Sequence, residues 1–246
     1  MPARGRAWLL ALPVALLPLA ASATGPDALG QGFVDPTFSP LLGGRPPGTV
    51  LQRVPSPSTD VIRWAETRPS IVRVIDLGGG RRLVQLDEFG RRVEQELRAA
   101  LASTDEVILD LRANRGGSVR RMLQVAGRFT GPVAGALRLV RKDEVLVLAI
   151  PDAGAAWNGR LTVLIGGQTI SSGEVLAALL RRHASAAVLG ARSWGKDYVM
   201  RVEPLRQGWR ALVPDGRIEV PGERLAGGLL PDGPIPATLA TQIATH

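Results

Sequence analysis

An α/β fold is predicted because strand-like and helix-like segments alternate along residues 70–220. Short runs such as Val107-Ile108-Leu109 are apolar throughout and end at polar or glycine-rich turns, which is typical of buried strands. Between such runs, apolar residues recur every three or four positions, which is the period of an amphipathic helix. Helices interleaved with buried strands indicate a layered α/β domain in which the loops at strand ends carry function.

These two periods predict the order of the elements. A helix from Asp87 onward is predicted because Phe89, Val93, Leu97 and Leu101 recur every four residues and share one helical face. In chain order we expect a strand over 71–75, this helix, a strand over 107–109, a helix over 119–126, strands over 146–150 and 161–165, a helix over about 171–180, a strand over 187–189 and two or three strands within 198–220.

The composition indicates one folded domain with a buried core. The chain has 246 residues, of which 45% are hydrophobic and 21% charged, and this excludes a disordered chain, a collagen-like repeat and a coiled coil. It contains no cysteine, which excludes disulfide scaffolds, thiolate metal sites and a cysteine nucleophile. Because its two histidines are His183 and the last residue, His246, we expect no metal centre and no cofactor.

The net charge of +8 raises the question of a nucleic-acid partner. The 30 basic residues are 28 arginines and two lysines, and they are scattered as singles and doublets rather than massed in one run. The chain also has few aromatic side chains on which bases could stack, with 5 Trp, 1 Tyr and 4 Phe. We therefore interpret the charge as a solvated basic surface and expect no nucleic-acid partner.

The first 23 residues are interpreted as a signal peptide. Arg4 and Arg6 precede an apolar stretch over residues 8–21, and Ala21-Ser22-Ala23 supplies the small residues of a cleavage site. The stretch is short for a membrane-spanning helix and contains two prolines, so we expect no stable membrane anchor. The mature protein is expected to be exported to the periplasm or the extracellular space.

Residues 24–60 are predicted to form an irregular arm or linker. Thirteen prolines and glycines interrupt this segment, and such a density of breakers argues against regular structure. The folded domain is expected to occupy residues 61–246.

Three loops follow predicted buried strands, at residues 112–118, 166–172 and 190–196. The first two lead into helices, so their backbone amides and the positive end of the helix dipole can bind an anion. Gly116-Gly117 in the first loop is a candidate oxyanion site, although a glycine pair is also typical of an ordinary turn.

Ser171 is the candidate nucleophile because it stands at the start of a helix directly after the second loop. Together with Glu174 it also matches a capping box, in which the serine hydroxyl accepts from the backbone and the glutamate reaches back to it. From these residues alone both interpretations stay open.

Lys196 is the candidate base. A serine hydroxyl needs a proton acceptor, but His183 lies twelve residues after Ser171 on the same predicted helix, about 18 Å along its axis. A lysine accepts a proton only when it is neutral, and burial favours that form by lowering its pKa, whereas an arginine cannot be deprotonated. Lys196, flanked by Trp194 and Tyr198, suits a role that none of the arginines can fill.

With these residues identified, the sequence resembles the C-terminal processing peptidases, or tail-specific proteases, which use a Ser-Lys dyad. The lysine follows the serine by 25 residues, which is the family spacing. Four blocks match in order over residues 70–236: LDLRANRGG at 109–117, QTISSGE at 168–174, GARSWGK at 190–196 and GLLPD at 228–232.

The resemblance implies a crotonase/Clp-protease-like catalytic domain over residues 61–246. It implies that Ser171 attacks a peptide carbonyl, that neutral Lys196 accepts the proton, and that backbone amides of Gly116, Gly117 or Ser172 hold the oxyanion. The expected function is that of an exported serine endopeptidase that cleaves peptide bonds near flexible C-terminal tails of extracytoplasmic proteins.

Three positions depart from the family pattern. Met200 stands where many members have a glutamine that orients the lysine, Arg115 replaces a proline, and Asp197 replaces a glycine. Asp197 would stabilise protonated Lys196 if its carboxylate pointed inward. These departures favour the alternative function, a non-catalytic module that binds a peptide or another ligand on the same fold.

The expected partner is a protein or peptide substrate. The sequence offers only the arm and residues 60–70 where many relatives insert a PDZ domain, so we expect substrate capture to use an adaptor, a second copy of the chain or a groove beside the site.

Export predicts that the mature protein begins near Thr24, because the signal peptidase cleaves after small residues. N-terminal sequencing of the protein purified from its natural compartment measures this directly. A first residue of Met1 would contradict the signal-peptide interpretation.

Overall fold

Two β-sheets build the fold of the computed structural model, which describes residues 50–53, 69–204 and 209–245. The predicted signal peptide and the predicted arm, apart from residues 50–53, lie outside the described residues. In chain order the elements are β1 (Val50–Arg53), β2 (Ile71–Gly78), β3 (Arg81–Leu86), α1 (Val93–Leu101), β4 (Glu106–Asp110), α2 (Val119–Thr130), β5 (Val133–Val140), β6 (Val145–Ile150), β7 (Arg160–Ile165), α3 (Ser172–His183), β8 (Ala187–Gly190), β9 (Tyr198–Pro204), β10 (Trp209–Glu219) and α4 (Ala237–Ala244).

The first sheet has the order β2-β3-β4-β7-β8. Its strands from β3 to β8 are parallel, and β2 joins the edge by antiparallel pairing with β3. Parallel neighbours need long crossover connections, and these are supplied here by α1, by the segment that contains α2, and by α3. The parallel pairing places the carboxyl ends of β4, β7 and β8 at one end of the sheet, where all three predicted site loops begin.

Both faces of this sheet are covered. Leu109, Val163 and Val188 belong to the main core, which the apolar faces of α1, α2 and α3 complete. On the other face Ile108 and Leu164 pack against partly buried residues of α4. Strands buried on both faces are apolar at nearly every position, which explains why these strands could be recognised from sequence.

The second sheet is antiparallel, with the order β1-β10-β5-β6, and β9 also pairs with β10. It contributes Leu137, Leu139 and Ile218 to the main core. Its strand β9 begins two residues after Lys196, so this sheet carries the chain directly away from the third site loop.

The mixed α/β class is confirmed, and several elements differ from the prediction. The first helix begins at Val93 rather than near Asp87, because the Phe89 amide donates to the Gly116 carbonyl and holds Phe89 beside the glycine pair. Within the predicted irregular arm, residues 50–53 form β1 and pair with β10. Three further elements, β3, β5 and α4, were not predicted from the sequence.

No helix of the described residues has the length and apolar character needed to cross a bilayer.

Candidate active site

Hydrogen bonds join the loop after β4 to the loop after β7. The buried Thr169 hydroxyl donates to the Leu111 carbonyl at 2.8 Å, and the Ile170 amide donates to the Asn114 carbonyl at 2.9 Å. The Ser172 hydroxyl adds a third contact by donating to the Gly117 carbonyl at 3.1 Å. The predicted oxyanion turn and the predicted nucleophile segment are therefore held against each other.

Gly116 touches Ser171 through its main chain. A Cβ atom at this position would lie 3.0 Å from the Ser171 Cβ and 3.0 Å from the Ile170 carbonyl oxygen, and the residue has φ +88°. A side chain would therefore meet both steric and backbone strain here. Glycine is what allows the turn to approach Ser171 so closely.

Ser171 has a strained backbone. Its φ of 58° and ψ of −120° place a non-glycine residue at positive φ immediately before α3, a conformation that persists only where surrounding contacts enforce it. Ser171 and Glu174 are arranged as a capping box, as the sequence pattern predicts. The Glu174 amide donates to the Ser171 carbonyl oxygen at 2.9 Å, and the Glu174 carboxylate accepts from the Ser171 amide.

The three predicted oxyanion donors differ in their hydrogen bonding. The Gly116 amide donates to the Asn114 side-chain oxygen at 2.8 Å, so it is already engaged. The amides of Gly117 and Ser172 have no acceptor among the described residues, and Ser172 begins the helix next to Ser171. Gly117 and Ser172 are therefore the donors that remain for an oxyanion.

One carboxylate oxygen links the two predicted site residues. Glu174 Oε2 accepts from the Ser171 amide at 2.7 Å and from the Lys196 amide at 2.9 Å. The distance between the two amide nitrogens therefore cannot exceed the sum of these two hydrogen-bond lengths. The structure thus brings Ser171 and Lys196, 25 residues apart in sequence, to the same place.

Glu174 has more contacts in the site than the sequence predicts, because the capping box accounts only for its contact with Ser171. Its other oxygen, Oε1, accepts from the Ser193 hydroxyl at 2.5 Å and from the Gly195 amide at 2.6 Å, and the residue is fully buried. Burial raises the pKa of Glu174, while these hydrogen bonds oppose that rise by stabilising the charged form. The Ser-x-x-Glu pattern predicts the capping contact but not the contacts of Glu174 with the loop at residues 190–196.

Lys196 is partly buried, and its amine lies 5.2 Å from the centre of the Tyr198 ring. Burial lowers the pKa of Lys196, and the negative charge of Glu174 partly opposes this. Asp197 does not have the inward orientation considered above, because its carboxylate pairs with Arg217 at 3.1 Å. The carboxylate that favours protonated Lys196 is that of Glu174.

Met200 and His183, two other residues considered in the sequence, both lie in regular elements of the structure. Met200 is buried on β9 opposite Pro214 of β10, so no amide orients Lys196 from that position. His183 is the last residue of α3, at the helix end opposite Ser171. The Ser171 hydroxyl and the Lys196 amine form no direct hydrogen bond in the described chain; catalytic hydrogen bonds are often long before substrate binds.

No cluster of three or more His, Asp or Glu side chains suited to a metal ion occurs among residues 69–204 and 209–245. A cavity of about 370 Å³ is lined by Arg73, Gln85, Arg112 and Gln168 among others. Arg112 and Gln168 belong to the first two site loops, so the cavity lies beside these loops, although none of the five predicted site residues lines it.

Comparison with known proteins gives a family match over most of the described chain. The family model described as peptidase family S41 matches residues 82–234. Carboxyl-terminal-processing peptidase 1, chloroplastic, of Arabidopsis thaliana is 26% identical over 157 residues, 61% of this chain and 32% of that protein. The carboxyl-terminal-processing protease of Picosynechococcus sp. is 23% identical over 220 residues, 79% of this chain and 50% of that protein. The chain thus spans half or less of the length of these relatives.

Two solved structures share the fold. The photosystem II D1 C-terminal processing protease superposes with a TM-score of 0.55 at 22% identity, covering 63% of this chain and 42% of that one. A lipoprotein from Streptococcus agalactiae superposes with a TM-score of 0.59 at 15% identity, covering 75% and 72%. At these identities the likeness establishes the fold, and function must be argued from the site.

The lowered pKa of Lys196 predicts that stability rises with pH. Between the folded pKa and the ordinary value of 10.5, the unfolded chain binds a proton that the folded chain does not, so the free energy of unfolding increases with pH, by up to about 1.4 kcal/mol per pH unit. Urea unfolding at about pH 7 and about pH 9.5 should therefore show a larger increase for wild type than for Lys196→Met.

Lys142→Met, which removes an exposed lysine from the β5–β6 turn, controls for the loss of one positive charge. An equal pH dependence in wild type and Lys196→Met would contradict the lowered pKa.

Proposed function

Since this chain belongs to peptidase family S41, we propose that it is a serine endopeptidase in which Ser171 is the nucleophile and Lys196 the general base. The observation that carries the proposal is the shared contact with Glu174, which holds the Ser171 and Lys196 amides on one oxygen. Family membership supports the reaction class, and this geometry supports the choice of these two residues.

In the first step Ser171 Oγ attacks the carbonyl carbon of the scissile peptide bond, and its proton passes to the neutral Lys196 amine. The carbonyl oxygen gains the negative charge and accepts hydrogen bonds from the amides of Gly117 and Ser172. Such donors each contribute about 2.7–4 kcal/mol when they match the developing oxyanion. Ser171 itself lies against Gly116, the residue before the Gly117 donor.

In the second step the C–N bond breaks and protonated Lys196 returns its proton to the leaving amine. The acyl group remains on Ser171 Oγ. Lys196, again neutral, then takes a proton from water as the water oxygen attacks the ester, and releases it to Ser171 as the acid product leaves. Lys196 can accept these protons because burial lowers its pKa by more than Glu174 raises it.

The proposed substrates are protein or peptide chains cut near flexible C-terminal tails. This proposal is supported by the printed names of the relatives, which describe carboxyl-terminal processing. We further propose that the protein acts in the periplasm or outside the cell, on the strength of the signal-like residues 1–23, and that an adaptor or a second copy helps to capture substrate.

A second candidate function is a non-catalytic peptide-binding module. It is favoured by two observations: Met200 offers no amide to orient Lys196, and the Ser171 hydroxyl is not hydrogen-bonded to the Lys196 amine. Such a module would bind peptides through the same loops without attacking them.

Cleavage of a quenched fluorescent peptide with a free carboxyl end tests the dyad. We expect wild type to cleave, Ser171→Ala to lose cleavage, and Lys196→Ala to lose about 10²–10⁴-fold in kcat. Lys196→Arg should be as inactive as Lys196→Ala because a guanidinium keeps its proton. Lys142→Ala is the matched control and should cleave like wild type.

A serine-directed phosphonate, located by mass spectrometry, separates the two candidate functions. The peptidase proposal predicts a covalent adduct on Ser171 in wild type and none in Lys196→Arg. Equal cleavage by wild type and Ser171→Ala would end the peptidase proposal. Peptide binding without cleavage or labelling would support the binding module.

A further inference from the structure

Glu174 has more contacts than a helix cap requires. Its carboxylate accepts four hydrogen bonds, of which one comes from its own helix start, at Ser171, and three come from the loop after β8, at Ser193, Gly195 and Lys196. A carboxylate with no exposed surface is stable as an ion only when donors of this kind surround it. The negative charge of Glu174 therefore holds the loop at residues 190–196, here called the lysine loop, against the start of α3.

The contacts of Glu174 extend, through Ser193, to the GLLPD segment at residues 228–232. The Ser193 hydroxyl that donates to Glu174 also accepts from the Leu229 amide at 2.7 Å. The Ser193 amide in turn donates to the Leu229 carbonyl at 3.1 Å. Ser193 therefore connects the GLLPD segment to the Glu174 carboxylate by hydrogen bonds. These bonds restrict the movement of the loop that carries Lys196.

We propose that Glu174 is the positioning residue of the site and sets the separation of nucleophile and base by holding the Ser171 and Lys196 amides on one carboxylate oxygen. This inference rests on the proposed function. Glu174 is fully buried beneath both loops, so it touches no substrate and acts through the two residues that it holds. It also supplies a contact that keeps Ser171 at positive φ, because its carboxylate receives the Ser171 amide.

The position of Glu174 has an electrostatic consequence for Lys196. The charged and titratable groups around the Lys196 amine are Glu174 on α3 and Tyr198 on β9, while neighbouring Asp197 is paired with Arg217 of β10. Of these, Glu174 raises the pKa of Lys196. Removing its charge should therefore make Lys196 easier to deprotonate even as the geometry of the site deteriorates.

Two substitutions separate length from charge. Glu174→Gln keeps the length but removes the charge, and its amide group would face backbone donors that the carboxylate accepts. Glu174→Asp keeps the charge but is one methylene too short to reach both loops. Glu96→Gln is the matched control: Glu96 also accepts two backbone amides, those of Ser70 and Ile71, but at the start of β2.

Steady-state cleavage across pH is measured for each variant, with kcat expressed per site titrated by the phosphonate. Because displacing a reacting group by about 1 Å costs on the order of 10²-fold, we expect both Glu174 variants to lose about 10²-fold in kcat with little change in KM. The acid limb of kcat/KM should move to lower pH in Glu174→Gln and stay near the wild-type position in Glu174→Asp. Glu96→Gln should match wild type in both respects.

A residue that merely supports folding would lower the number of titrated sites and leave kcat per site and the acid limb unchanged. That result, or a rise in KM alone, would overturn the inference while the peptidase proposal stands. If wild type neither cleaves nor labels, the proposed function fails and the inference fails with it.

Ser193→Ala keeps the inference testable if the Glu174 variants do not fold. It removes one donor to Glu174 and the acceptor of the Leu229 amide, but leaves the Ser171 and Lys196 contacts in place. We expect kcat per titrated site to fall about tenfold with KM unchanged. Wild-type kcat in a folded Ser193→Ala protein would then overturn the inference.

Discussion

The arrangement of the site depends on the need to satisfy one buried negative charge. A carboxylate without solvent must be surrounded by donors, and the donors around Glu174 come from the start of α3 and from the loop after β8. Satisfying that charge fixes the two loops relative to each other more firmly than apolar packing could, because hydrogen bonds to a carboxylate are directional. The parallel strands deliver the loops to one end of the sheet, and Glu174 determines how they meet.

The same charge works against the chemistry that we propose. It favours protonated Lys196, whereas burial favours the neutral amine that a general base requires, and burial has the larger effect on the pKa of Lys196. The arrangement therefore combines precise positioning with a less favourable charge. Turning Asp197 towards Arg217 removes a second carboxylate from this balance. Met200 is buried and has no amide group with which to orient the amine.

Much of this could be predicted from the sequence, and the omissions have physical causes. The strands buried on both faces and the helix after Ser171 follow from apolar runs and periodicity. The Ser171–Lys196 dyad stays a prediction, made from the choice of lysine over arginine and from the resemblance to the C-terminal processing peptidases. The start of α1 could not be predicted, because a tertiary contact between Phe89 and Gly116 overrides the helical period. The three contacts of Glu174 with the loop after β8 join residues 19 to 22 positions apart in sequence, which no local pattern encodes.

The central claim is that Lys196 loses its proton within the folded site, and the presence of just two lysines makes this measurable. In protein labelled with ¹³C at the lysine side chains, the NMR shift of each lysine Cε follows the protonation of its Nζ. The two signals are assigned with the Lys142→Arg variant. The account predicts that Lys196 titrates below the ordinary lysine value of 10.5 and that Glu174→Gln lowers its midpoint further. A midpoint at or above the ordinary value would contradict the account.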